Sequence, residues 1–206
     1  MAAESHLIRV TKDPSGEEHL QNYSTNLNRR VPLVATLVLM LGAVPITAAQ
    51  QGGAKMNLSS PSFPNGAAID KKFTCDGADV CPRLIWTDPP AGTKTFALLA
   101  DDPDAPVGNW NHWTLWNLPA TERTLVEGTP KQAQLSNGAQ QGMNDFRKPG
   151  YNGPCPPPGN PHRYYFRLYA LDSKLDLKSG TSKKDLEAAM KGHILSQAEW
   201  MGRYGR

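Results

Sequence analysis

Residues 151–172, YNGPCPPPGNPHRYYFRLYALD, join a stiff loop to a run whose side chains alternate as they do in a β-strand. Five prolines and two glycines lie between positions 153 and 161. His162 begins the alternation, and every second residue of a strand shares one face, which here carries Tyr164, Phe166 and Leu168. A proline-rich loop that ends at a histidine predicts a fixed wall beside a strand end. We expect this wall to border a small polar pocket.

Three further runs of residues predict strands. Residues 83–87 and 94–101 flank the turn sequence Asp-Pro-Pro-Ala-Gly at 88–92, so we predict that they form a hairpin. Residues 111–120 predict a third strand and residues 162–172 a fourth. These runs indicate a mainly β domain.

The segments between and after these strands differ in character. Residues 121–161 are rich in Gly, Asn, Gln and Pro, and a stretch this long predicts functional loops. Thr181 or Ser182 is a capping candidate for a helix whose apolar positions are Leu186, Met190 and Ile194. We therefore predict one C-terminal helix. His193 falls in this helical tail, where packing or capping is its expected role.

Composition limits the class of protein. The chain has 206 residues, which suits one domain once the N-terminus is set aside, and its 18 glycines and 18 prolines favour loops and strands. The formal charge is +3, and no block of Lys or Arg forms a patch for nucleic acid or lipid. No nucleic-acid partner is predicted.

The N-terminus resembles an export signal. Arg29 and Arg30 precede an apolar run at 31–46, and the small residues at 47–49 follow it. We predict a secretory signal cleaved after Ala49, with an uncleaved membrane anchor at 31–49 as the alternative. The run is short for a span and contains two prolines, which favours the signal. Residues 1–49 are thus an N-terminal extension and signal peptide, residues 50–206 the folded domain, and the location secreted or periplasmic.

Export would place the three cysteines in an oxidising compartment, where disulfides form. Cys75 and Cys81 are close enough in sequence to bridge a short loop, and Cys155 could pair with either of them. The spacing leaves these pairings open. No cysteine has the sequence setting of a nucleophile, so none is predicted to be catalytic.

Two histidines and two aspartates lie at predicted strand ends. Asp102 and Asp104 follow the second strand, His112 opens the third, and His162 opens the fourth. Strand alternation places His112 on the face of Thr114 and Trp116. Carboxylates beside imidazoles are expected to raise the pKa of those imidazoles. Such a site could hold a small anion through imidazole N–H groups and a tyrosine hydroxyl.

Three motifs in order resemble one protein family. They are DDPDAP at 101–106, NWNHW at 109–113 and GPCPPPGNPHRYYF at 153–166. The set resembles the phosphatidylethanolamine-binding protein family, also called Raf kinase inhibitor-like proteins, over residues 56–206. FTCDGADVCPRLIW at 73–86 and the closing AAMKGHILSQAEWMGRYGR resemble its bacterial and archaeal branch. Cys81 departs from that branch, where a serine is expected.

The resemblance implies a mainly β fold, in which a large antiparallel β-sheet packs against a smaller one with a few peripheral helices. It also implies a small anion-binding cavity whose wall is the proline-rich loop. Asp145 and Phe146 match a family segment near that cavity. The implied ligand-binding residues are Asp102, Asp104, Trp110, His112, Pro157, His162 and Tyr164.

The function predicted from the sequence is binding. We expect an exported protein that takes a small phosphorylated or carboxylate ligand and acts on a partner protein, with a homodimer as a further expectation. The alternative is an inhibitor of a secreted protease or kinase-like partner through its surface. A hydrolase is less favoured, because no local pair of metal ligands and no placed nucleophile is found. No catalytic residue, metal or cofactor is predicted.

Overall fold

The structure is a computed structural model that describes residues 8–12, 18–22 and 55–206. The predicted signal peptide, its cleavage point and the alternative anchor at 31–49 lie outside the described residues. The N-terminal part contains two antiparallel strands, β1 (Ile8–Lys12) and β2 (Glu18–Asn22), with Ile8 opposite Asn22. Among the residues described, no helix has both the length and the apolar composition needed to cross a membrane.

Residues 55–206 form two antiparallel sheets. The larger has five strands in the order β10-β9-β5-β6-β8, and the smaller has three in the order β3-β4-β7. The prediction of a large sheet packed on a smaller one is confirmed. The elements are β3 (Asn57–Ser59), a 3-10 helix (Lys71–Phe73), β4 (Leu84–Thr87), β5 (Thr95–Asp102), β6 (Trp110–Pro119), β7 (Thr124–Leu125), β8 (Gln140–Gln141), β9 (His162–Leu171), α1 (Lys183–Met190) and β10 (Ile194–Tyr204).

The main core fills the space between the two sheets. It joins apolar residues of β3 and β4 to inward-facing residues of β5, β6 and β9, and burial of this apolar surface is the main stabilising contribution. The β9 residues buried in this core are Tyr164, Phe166, Leu168 and Ala170, which confirms the face predicted from alternation. Trp86 and Phe96, from opposite sheets, meet edge to face with ring centroids 5.3 Å apart.

A second apolar cluster covers the outer face of the large sheet. Helix α1 begins where the Ser182 hydroxyl accepts a hydrogen bond from the Asp185 N–H at 3.2 Å, as predicted for a capping serine. The helix buries Leu186 and Met190 against this cluster, which includes Trp116 of β6. The large sheet is therefore covered on both faces.

The predicted hairpin of residues 83–87 and 94–101 is wrong, although both strands exist. β4 pairs with β3 and β7 in the small sheet, whereas β5 pairs with β6 and β9 in the large one. Asp88 has a φ of 55°, and Pro89 and Pro90 have no N–H to donate to a ladder. The connection thus redirects the chain from one sheet to the other instead of folding it back.

The prediction that the C-terminal helix extends to Ile194 is wrong. Helix α1 ends at Met190, Gly192 adopts a φ of 86°, and Ile194 begins the 11-residue strand β10. Positive φ favours glycine and is incompatible with a continuing α-helix. His193 therefore lies in a connection, where its Nδ1 is 2.8 Å from Asp172 Oδ1.

Strand β6 has two irregularities, and they decide which side chains reach the site. Trp113 is paired with Ala100 and Asn111 with Asp101, so His112 is an extra residue without a partner on β5. A second shift accompanies Asn117, whose φ is 56°. A bulge of this kind re-aims neighbouring side chains.

Because of the bulge, the predicted placement of His112 on the face of Thr114 and Trp116 is wrong. His112 contacts Tyr164, which belongs to the core between the sheets. Trp116 belongs instead to the cluster on the outer face. Simple alternation fails here because β6 carries more residues than the strand that it pairs with.

Candidate ligand-binding site

A cavity of about 250 Å³ opens at the end of the large sheet where β5, β6 and β9 meet the proline-rich loop. Its polar residues come from the ends of these three strands, and its remaining wall is mostly apolar. Five of the seven predicted ligand-binding residues line it. The full lining is Asp102, Ala105, Pro106, Val107, Trp110, His112, Phe146, Cys155, Pro156, Pro157 and His162.

Asp102 and His162 form a hydrogen-bonded pair in the cavity. His162 Nδ1 donates to Asp102 Oδ2 at 2.8 Å, and only 4% of the Asp102 side chain is exposed. The other oxygen, Oδ1, accepts the N–H of Asp104 at 2.8 Å. The pair fixes the imidazole ring and leaves its Nε2 as the nitrogen available to a ligand.

His112 is held in a different way. Its Nδ1 lies 2.7 Å from the carbonyl oxygen of Asn152, so Nδ1 carries the proton and Nε2 remains free. Burial lowers the pKa of His112, and the hydrogen bond to Asn152 and the charges of Asp102 and Asp101 oppose this less strongly. The expectation of a raised pKa is wrong for this histidine: the carboxylates do favour the charged form, but desolvation of that form is the larger effect.

Tyr164 lies behind the two histidines and not in the cavity lining. Its ring contacts that of His112 edge to face at 5.3 Å and stacks near that of His162 at 6.5 Å. Burial raises the pKa of Tyr164, and the neighbouring Asp102 carboxylate adds to the increase, so the hydroxyl stays protonated. That buried hydroxyl has no hydrogen-bond partner of good geometry among the described residues.

Asp104 is directed away from this cavity. Its carboxylate accepts hydrogen bonds from the Arg163 guanidinium at 2.8 Å and 2.6 Å and from the Arg163 backbone N–H at 2.9 Å. These bonds to Arg163 lower the pKa of Asp104 to about 2. The structure thus separates the two aspartates of the Asp-Pro-Asp motif: one reaches the cavity, and the other anchors the start of β9.

Aromatic rings form the wall opposite the proline loop. Phe146 meets Trp110 edge to face at 5.5 Å and His112 at 5.3 Å. The neighbouring Asp145 does not line the cavity; its Oδ2 accepts the N–H of Asn111 at 2.7 Å. Of the two residues matched to the family segment, Phe146 therefore shapes the wall and Asp145 braces it.

The proline-rich loop is fastened to the segment that precedes β4. A disulfide joins Cys75 to Cys155, and the N–H of Cys75 donates to the Pro154 carbonyl at 3.0 Å. The N–H of Gly153 donates to Asp79 Oδ1 at 2.6 Å. A Cβ on Gly153 would overlap the Phe73 carbonyl oxygen, so only glycine allows this close approach.

Two asparagines that the sequence analysis did not select organise the loop from inside. Asn144 Nδ2 donates to Asn152 Oδ1 and to the Gly150 carbonyl, both at 2.9 Å. Asn144 Oδ1 accepts the N–H groups of Phe146 at 3.0 Å and Lys148 at 3.1 Å. The tendency of asparagine to stabilise turns through its side chain was the one local signal for these residues.

The third cysteine is separate from the site. Cys81 is buried, and its Sγ accepts the Thr129 N–H at 3.2 Å. Burial raises the pKa of its thiol, which keeps it protonated and unreactive. Of the pairings left open by the sequence, the structure has Cys75 with Cys155.

Comparison with known proteins gives one consistent family. The family model described as phosphatidylethanolamine-binding protein matches residues 59–205. Among relatives, the UPF0098 protein of Aquifex aeolicus is 49% identical over 157 residues, covering 75% of this chain and 91% of its own. The UPF0098 protein of Methanothermobacter thermautotrophicus is 46% identical over 151 residues, covering 73% and 99%.

Two solved structures share the fold. One is a phosphatidylethanolamine-binding protein homologue from Chlamydia trachomatis, with 41% identity and a TM-score of 0.67 over 74% of this chain and 98% of the homologue. The other is YbcL of E. coli, with 33% identity and a TM-score of 0.70 over 74% of this chain and 99% of YbcL.

Proposed function

The chain belongs to the phosphatidylethanolamine-binding protein family, and on that premise we propose that its cavity binds a small ligand through a phosphoryl or carboxylate group. The observation that carries the proposal is the position of two imidazoles in one cavity, each with Nδ1 committed to a fixed acceptor. Each ring then offers Nε2 to the ligand. Tyr164, whose hydroxyl stays protonated, packs behind both rings and supports their positions without lining the cavity.

The charge balance of the cavity favours a protonated form of the ligand. The Asp102 carboxylate contributes negative charge to the cavity, and burial disfavours the cationic form of His112. A hydrogen phosphate monoester or a carboxylic acid can donate its own proton to the neutral Nε2 of His112. We therefore propose that binding takes up a proton near neutral pH and strengthens as the pH falls toward the second pKa of a phosphate ester, about 6.

The apolar wall suggests how a bound ligand could influence a partner protein. Val107 lines the cavity mouth and is 76% exposed, which is high for a large aliphatic side chain. A partner that covers Val107 would also contact the outer end of the ligand. We propose that the ligand contributes to such a surface and thereby modulates partner binding.

We also propose that the protein is exported. The Cys75–Cys155 disulfide supports this, because disulfides persist in secreted and periplasmic proteins and are rare in the reducing cytosol. Cell fractionation with a thiol-labelling assay tests the proposal. The expected result is oxidised protein in the periplasm or medium, whereas reduced protein confined to the cytosol would contradict it.

Calorimetric titration of the full-length chain with inorganic phosphate, phosphoethanolamine and O-phosphoserine tests the binding proposal. The variants are His112→Asn and His162→Asn, because an Asn amide replaces the Nδ1–H donor but has no counterpart of Nε2. His193→Asn is the matched control, since His193 forms an equivalent pair with Asp172 outside the cavity. We expect saturable binding that both cavity variants lose and the control retains. Normal binding by both cavity variants would refute the assignment.

A further inference from the structure

A second cavity adjoins the first and has a different character. Its volume is about 400 Å³, and it shares Pro157 and His162 with the first cavity. Its other walls include Asp104, Asn160, Arg163 and Arg203. A ligand that extends over Pro157 from the first cavity therefore enters a region containing two guanidinium groups.

The two arginines face each other across neighbouring strands. Arg203 of β10 is the direct partner of Arg163 of β9 in the antiparallel register, which places both side chains on one face of the sheet. Like charges at directly opposed positions destabilise a sheet. The arrangement costs stability unless a negative group lies between or beside the two cations.

Only one of these arginines has its own counterion. Arg163 pairs with Asp104, and nearby Arg206 pairs with Asp76. Arg203 is exposed and has no acidic partner among residues 55–206. The two arginines and Asp104 leave one uncompensated positive charge in the second cavity.

From this geometry we propose that Arg203, with Arg163 beside it, forms a second anion subsite that holds another acidic group of the ligand bound in the first cavity. The inference rests on the proposed function and narrows it to ligands that carry a carboxylate or second phosphoryl group beside the first. Guanidinium suits this role because its planar donors match the geometry of carboxylate and phosphate oxygens. Two linked contacts raise the affinity because the second forms intramolecularly.

Two matched peptides test the subsite on the full-length chain at low ionic strength. One is acetyl-Glu-Glu-phosphoserine-Glu-Glu-amide, and the other has Gln in place of each Glu, so that acidic groups flank the phosphate on either side. We expect the Glu peptide to bind about tenfold more tightly, as for one partly exposed charge-assisted contact. The advantage is expected to shrink as added salt screens the exposed charges.

Variants identify the residue responsible. Arg203→Met is expected to remove the advantage of the Glu peptide, leave the affinity for the Gln peptide unchanged and not lower the urea midpoint. Arg203→Lys should restore part of the advantage. Lys174→Met is the control, because it removes one exposed positive charge at a position outside the lining of both cavities.

The outcomes separate this inference from the proposed function. Equal binding of the two peptides by the unmodified protein overturns the second subsite and leaves the first intact, provided that His162→Asn abolishes both. An equal loss with Arg203→Met and Lys174→Met would mean that net charge alone is responsible, which also overturns it. If neither peptide binds, the proposed function fails and the second subsite fails with it.

Discussion

The disulfide between Cys75 and Cys155 is expected to supply a large part of the stability of this domain. The cysteines are 80 residues apart in sequence. In the chain-entropy model, closing a loop of that length removes unfolded-state entropy worth about 4.5 kcal/mol at 25 °C. The loop is also held by hydrogen bonds to Asp79 and to the Cys75 N–H, neither of which involves a sulfur atom, so we expect the folded geometry to persist without the bridge. We therefore expect the loss to approach this figure in the double variant Cys75→Ser/Cys155→Ser.

Urea unfolding followed by tryptophan fluorescence measures this loss. With a slope of about 2 kcal/mol per molar urea, a loss of about 4 kcal/mol lowers the midpoint by roughly 2 M. Treating the unmodified protein with a phosphine reductant should lower the urea midpoint by the same amount. The reductant should lower the midpoint of Cys81→Ala equally. If the reductant leaves the urea midpoint of the unmodified protein unchanged, the bridge does not contribute to stability and the reasoning is refuted.

Three further predictions concern single residues. Because the folded pKa of His112 is lowered, the unfolded chain binds that proton more tightly, so stability should fall as the pH drops from about 6.5 toward the folded pKa. When urea midpoints are measured across this pH range, His112→Asn should remove the decline. For Asp104, whose pKa falls from 3.8 to about 2, stability should instead be lost between those two values on acidification, and Asp104→Asn should remove this decline in an acid-unfolding curve. Gly153→Ala should cost roughly 1–3 kcal/mol or more in urea unfolding and weaken phosphate binding, because its methyl group overlaps the Phe73 carbonyl; unchanged stability would show that the loop is not tightly packed there.

The positions of strands β4, β5, β6 and β9 could be predicted from the sequence because alternation and turn residues are local properties. Pairing could not. Ser59 meets Ile85, and Thr95 meets Leu171, so each partnership joins residues far apart in the chain. A two-proline connection between successive strands is compatible with a hairpin and with a change of sheet. The choice depends on which distant strand is available to pair.

The candidate site likewise has features that the sequence predicts and features that depend on the folded structure. Motif resemblance could place Asp102, His112 and His162 near one another, but the roles of individual side chains depend on orientation. Asp104 differs from Asp102 only in its three-dimensional surroundings, where Arg163 is the stronger partner. The lowered pKa of His112 likewise follows from burial, a property of the assembled domain that spacing along the chain does not contain.

The extra residues of β6 also affect how the chain tolerates changes in length. Because His112 has no partner on β5, the strand directs His112 and Trp113 to the same side of the sheet. Deleting either residue would restore regular alternation and leave one inward-facing side chain where the strand now has two, so the domain would lose either the cavity imidazole or the buried Trp113. We therefore expect divergence in this strand to proceed by substitution, whereas insertions and deletions accumulate in loops whose length does not set the direction of a side chain.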